Sequence, residues 1–132
     1  MSLLYHEEIY IPEEYISQVL NHQKTLKKIH FSRHLREHLN NPDYKHDIES
    51  TKLLQCLKRV INNPVSPFEV EIDNRTVIKY VIRTSYDSDR DVSIAILVKD
   101  YYGIPMIKTA WLNKKSDKHY TLDVSKYVGR QP

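Results

Sequence analysis

His30, His34 and His38 recur at every fourth position, so on one continuous helix all three imidazoles share a face. Arg33 lies close to that stripe and Arg36 at its edge. The segment from Lys24 to His38 is basic: Lys24, Lys27, Lys28, Arg33 and Arg36 stand against Glu37 alone. Three chemistries compete for this pattern. A metal centre fits worst. At about 1.5 Å rise per residue, His30 and His38 lie about 12 Å apart along a helix, and one zinc ion reaches two adjacent histidines at most. No H-E-x-x-H motif and no cysteine pair would complete such a site, so no metal is expected. A solvated helix face is the plain reading. An acid/base group beside a cationic surface is the reactive one, because histidine titrates near pH ~6.5 and both accepts and donates a proton.

A second basic segment closes the chain. From Pro105 to Pro132, Lys108, Lys114, Lys115, Lys118, Lys126 and Arg130 outnumber Asp117 and Asp123, and His119, Thr121 and Tyr127 lie among them. Strand alternation aims Thr109, Trp111 and Asn113 to one face. Aromatic rings interleaved with bases suit single-stranded RNA, through base stacking and phosphate contact. The competing readings are a core role for Trp111 and a solvated surface for the lysines.

These candidates need a scaffold. The chain has 132 residues, the size of one domain. Its 2 glycines exclude a P-loop or a dinucleotide-binding fingerprint, which hold phosphate on glycine-rich backbone. Lys and Arg total 20 against 17 acids, a net charge of +3 that conceals the two clusters. Cys56 is the only cysteine and sits in an apolar-periodic segment, which predicts a small buried hydrophobe and excludes a disulfide scaffold. No apolar run approaches the ~18 residues that would span a bilayer. The expectation is a soluble, cytoplasmic chain with no N-terminal leader and no membrane partner.

Pro12, Glu13 and Glu14 open a helix with Tyr15, Val19, Leu26 and Ile29 on one face, with a break near Gln23 to Thr25 where Thr25 suits an N-cap. A second helical stretch runs to about Leu39. A third carries Ile48, Leu53, Leu54, Leu57, Val60 and Ile61 at near-helical spacing and ends at Asn62, Asn63 and Pro64. The period then becomes two. Strands are predicted at Phe68–Ile72, Thr76–Arg83, Val92–Lys99 and Ile104–Leu112, joined by short polar turns. In the second, Ile78, Tyr80 and Ile82 are placed on one face and Val77, Lys79, Val81 and Arg83 on the other. The predicted fold is α+β: two to three N-terminal helices packed on one face of a four-stranded antiparallel meander sheet. It is a single domain over 1–132, with an N-terminal extension at 1–23, a helical part at 24–66, and the sheet and tail at 67–132.

A helix carrying Ser32-Arg33-His34, a second helix ending in Asn63-Pro64 and a meander whose last strand reads Thr109-Ala110-Trp111 resemble the barnase–EndoU–colicin–RelE type of small RNase toxin. The likeness runs from His30 to Tyr127. It implies metal-independent, cofactor-free cleavage of RNA, either tRNA or mRNA, by attack of the 2′-hydroxyl on the neighbouring phosphate. By position, His34 would be the general base or acid. Arg83 or Lys79 would neutralise charge on the phosphorane, as paired guanidinium donors do well. Thr109 would donate to the phosphate, and Tyr127 or His119 would be the second proton-transfer group. Arg33, Lys79, Lys108, Trp111, Asn113, Lys114 and Lys115 would contact RNA. A toxin of phage or plasmid type also implies an immunity or antitoxin partner. The first 23 residues have no counterpart in that family. The alternative is a non-catalytic RNA- or protein-binding module of phage or plasmid origin that inhibits a host factor.

Overall fold

The computed structural model describes residues 2–6, 10–43 and 47–117. Among these, the elements in chain order are β1 (Ser2–His6), α1 (Glu13–Gln23), β2 (His30–Phe31), α2 (Arg33–His38), α3 (Ser50–Asn62), β3 (Glu69–Asp73), β4 (Thr76–Ser85), β5 (Arg90–Leu97) and β6 (Met106–Lys114). The α+β class holds, but the sheet is larger than expected. It has six strands in the order β1-β3-β4-β5-β6-β2. It is mixed, because β2 runs parallel to β6 while every other pairing is antiparallel.

The two added strands come from the segments the sequence assigns elsewhere. β1 pairs with β3, Leu3 against Ile72 and Tyr5 against Val70, so Ser2–His6 is an edge strand of the sheet. α1 starts behind Pro12 with Glu13 and Glu14 in its first turn, where acids complement the dipole. It buries Tyr15, Val19 and Gln23 at helical spacing. Gln23 is fully buried yet satisfied: its amide accepts from the Val65 N–H at 2.9 Å and donates to the Val65 carbonyl at 2.7 Å.

The second helical stretch is shorter than predicted and displaces one histidine from the stripe. Thr25 does not cap a helix; its hydroxyl donates back to the His22 carbonyl at 2.7 Å, closing the end of α1. The chain then turns and lays His30 and Phe31 along β6. The His30 N–H donates to Pro105 O and the Ser32 N–H to Ile107 O, each at 2.9 Å. Ser32 starts α2 as an N-cap: its Oγ accepts from the Leu35 N–H at 3.1 Å and donates to Lys108 O at 2.6 Å. Inter-strand pairing and this cap overrule the continuous helix, so only His34 and His38 share a helical face.

α3 matches its pattern. Leu53, Cys56, Leu57 and Val60 are buried at i, i+3, i+4 and i+7. Cys56 is 1% exposed and its thiol pKa is pushed up, chiefly by burial. Asn40, in the left-handed conformation at φ 59°, accepts from the Ser50 N–H at 3.0 Å and so joins the end of α2 to the start of α3.

Helix side chains and one sheet face form a single core around Val19, Leu26, Leu53, Tyr80, Ile94 and Ile107. The β3–β4 hairpin turns through Asn74 and Arg75, both at positive φ, the geometry a two-residue hairpin requires. α1 clamps that turn, with Gln18 bonded to Arg75 O and the Val77 N–H. A register shift beside Ile72 leaves Ile78 half-buried and turns Val77 inward, reversing the alternation expected for that pair. On the other sheet face, Phe68, Val81, Ala95 and Trp111 form a second buried cluster.

A candidate anion-binding cleft with a histidine–aspartate pair

β2 and the β5–β6 turn meet where His30 Nδ1 lies 2.7 Å from Asp100 Oδ2. The turn is built around Asp100. Its other carboxylate oxygen accepts the N–H groups of Tyr102 at 2.8 Å and Ile104 at 3.0 Å. The Asp100 N–H donates to Ile104 O at 2.7 Å, and Gly103 at φ 79° closes the loop. The Asp100 side chain is 4% exposed and His30 45%, so a shielded carboxylate holds a half-open imidazole. The Ile104 N–H first, then the Tyr102 N–H and His30, hold the Asp100 carboxyl below its usual range. A carboxylate only accepts hydrogen bonds, so the shared hydrogen sits on His30 Nδ1. In the neutral imidazole this places the lone pair on Nε2, the tautomer a general base needs.

His30 and Asp100 line a cleft of about 690 Å³ with Lys27, Arg33, Arg36 and Tyr102. Lys27, Arg33 and Arg36 are exposed. Arg33 reaches Glu37 at 3.0 Å, a solvent-exposed pair one turn apart whose net attraction is small, so its guanidinium is available to an anionic ligand. Tyr101 and Tyr102 project from the same turn at 96% and 77% exposure, their rings 5.4 Å apart edge to face. The cleft therefore combines cations, one oriented acid/base group and exposed aromatic faces. Among the described residues no group of three or more His, Cys, Asp or Glu is placed to hold a metal ion, and no helix is long and apolar enough to cross a membrane.

The residues expected to act together occupy several places. Arg33 lines the cleft. His34 is exposed on α2, its ring 4.0 Å from that of His38. α2 sends Leu35 into the core on the helical side of the sheet. Arg83 and Thr109 lie on the sheet face opposite the one that receives Leu35, and neither they nor His34 line the cleft around His30. On that face Arg83, Ser93 and Trp111 form one row across β4, β5 and β6. Arg83 is 8% exposed and donates from Nε to Asp91 at 2.9 Å and from Nη2 to Lys114 O at 3.0 Å. Lys115 binds the same Asp91 at 3.3 Å and Ser85 Oγ at 2.9 Å. Asp91 thus holds Lys115 of the second cluster together with Arg83. Asn113 accepts from Ser93 Oγ at 2.9 Å. Lys79 is half-buried on β4, Lys108 and Lys114 are exposed on β6, and Trp111 is buried. His119 and Tyr127 lie outside the described residues.

Asp100 and Tyr102 were not anticipated as site residues. A signal for the first exists in Asp100-Tyr101-Tyr102-Gly103: an aspartate whose side chain bonds its own backbone two residues on, followed by a glycine at positive φ. Comparison of the chain with protein-family models, curated proteins and solved structures finds no match.

Proposed function

We propose that this chain is a metal-independent endoribonuclease in which His30, held by Asp100, is the general base of the cationic cleft. The 2.7 Å His30–Asp100 contact beside Lys27, Arg33 and Arg36 carries this reading. The 2′-hydroxyl proton of a bound RNA passes to Nε2, and the 2′-oxygen forms a bond to the adjacent phosphorus. The bond from phosphorus to the 5′-oxygen breaks, leaving a cyclic phosphate, and solvent protonates the departing oxygen. Arg33 and Arg36 offer forked donors to the non-bridging oxygens as charge builds there. A toxin-type role with a protein inhibitor belongs to the same reading.

The test is cleavage of total tRNA in excess chelator by wild type, His30→Ala and His34→Ala. Wild type is expected to cut, and His30→Ala to be slower by roughly 10²- to 10⁴-fold, the usual worth of a positioned acid/base group. If His34→Ala alone abolishes cleavage, the base is His34. Intact RNA with wild type refutes the enzyme reading. A second reading, RNA retention without cleavage, is favoured by Tyr101 and Tyr102, which offer stacking faces beside the cations. It predicts binding that weakens steeply with salt, as released counterions require, and no product on the gel.

A further inference from the structure

We infer that an apolar groove along α3, next to the cleft, docks an acidic amphipathic helix of a partner protein. α3 has two apolar stripes. Leu53, Cys56, Leu57 and Val60 face the core, whereas Leu54, 49% exposed, lies about 100° round the helix from them beside Ile61, which is half-buried and also packs against the core. The 24–29 turn forms the facing wall through Leu26 and Ile29, and the space between is about 530 Å³. From Leu54 to Ile61 the wall is about 10 Å long, two turns of a partner helix.

Its chemistry selects the occupant. The apolar lining is aliphatic, without the aromatic platform that nucleobases stack on. The α3 wall keeps its backbone groups in intrahelical bonds, so it offers no ladder for an added strand, and apolar side chains at i, i+3 and i+7 of a helix fill such a groove. Lys27 and Lys58 stand at its rims and no acidic residue lines it, so the occupant's flanks carry Glu or Asp. The inference rests on this groove and not on RNA cleavage.

The probes are three synthetic peptides of about 18 residues, long enough to be helical. One has leucine at i, i+3 and i+7 with glutamate flanks, one has lysine flanks, and one scrambles the acidic sequence. Binding is read by fluorescence anisotropy. The acidic helix is expected to bind at least about tenfold tighter than the other two, and Leu54→Asp and Lys58→Glu each to weaken it about tenfold. Both positions are exposed, and circular dichroism verifies that the variants fold. His30→Ala leaves this binding unchanged, which separates it from the RNA reading. Equal binding of the scrambled peptide, or binding unaffected by Leu54→Asp, overturns the inference. So does a dimer of the chain that Leu54→Asp makes monomeric.

Discussion

Replacing His22 with leucine should cost about 3–5 kcal/mol of stability. The imidazole links three parts of the fold: Nε2 lies 2.7 Å from Val98 O and Nδ1 2.7 Å from the Tyr80 hydroxyl. A carbonyl only accepts, so Nε2 carries the hydrogen and Nδ1 accepts from Tyr80, whose ring meets the imidazole edge to face at 5.4 Å. Tyr80 is completely buried, and that burial pushes its phenol pKa up and keeps it a neutral donor. Each bond contributes about 1 kcal/mol net, and leaving the buried hydroxyl unpaired costs roughly 1–3 kcal/mol more. His22→Leu together with Tyr80→Phe removes the orphaned hydroxyl and should regain about 1–2 kcal/mol over His22→Leu alone, a coupling between contacting residues. Urea denaturation at pH 7.5 measures both; 1 kcal/mol is about 4 °C in Tm for a domain of this size. Burial pushes the His22 pKa down against the opposing pull of Val98 O. The unfolded chain therefore takes up the proton first, and this part of the stability is present above pH ~6.5 and is lost as pH falls through the lower folded value. His22→Leu should lack that acid-side component. A cost below ~1 kcal/mol, or strict additivity in the double variant, would refute this account.

Two more outcomes follow from the site. Ser32→Ala removes both the cap of α2 and the bond to Lys108 O, so urea denaturation should show a loss of about 1–2 kcal/mol; a change under ~0.3 kcal/mol would contradict the capping role. Asp100→Asn retains an oxygen for the Tyr102 and Ile104 N–H groups but presents an amide donor to His30 Nδ1, which forces the hydrogen onto Nε2. Initial RNA-cleavage rates should fall at least about tenfold with the fold intact, and an unchanged rate removes the base role of Nε2.

Local patterns were legible where one residue's neighbours in sequence determine its environment. α3 reads directly from Leu53, Leu57 and Val60, and the β3–β4 turn from Asn74 beside Arg75. Thr109, Trp111 and Asn113 do share a sheet face. The misreadings come from long-range pairing. β2 is only two residues long, and its bonds go to Pro105 and Ile107, far away in sequence, so nothing local distinguishes His30 from the start of a helix. β1 exists through β3, and the inward turn of Val77 depends on a register shift that alternation cannot encode. The basic tail illustrates a different limit. Composition counts Lys115 as free charge, whereas the fold directs it to Asp91, which also binds Arg83 of β4.

Glycine scarcity acquires a mechanical meaning in this geometry. Of the 2 glycines, Gly103 is the one among the described residues, and a methyl group there would meet nothing within 4 Å. Its φ of 79° is therefore the whole reason for its presence: it lets the loop close so that Asp100 binds two backbone N–H groups and His30 at once. Any phosphate in the cleft must be held by Lys27, Arg33 and Arg36, long exposed chains that lose rotamer freedom on binding, and not by a preformed backbone cradle. On the proposed reading, the fixed part of the site is the His30–Asp100 pair and the adaptable part is the cationic rim. Such a division suits a ligand whose phosphates arrive in varied conformations, as those of single-stranded RNA do, while the distance and tautomer that matter for chemistry are set by the one turn that glycine makes possible.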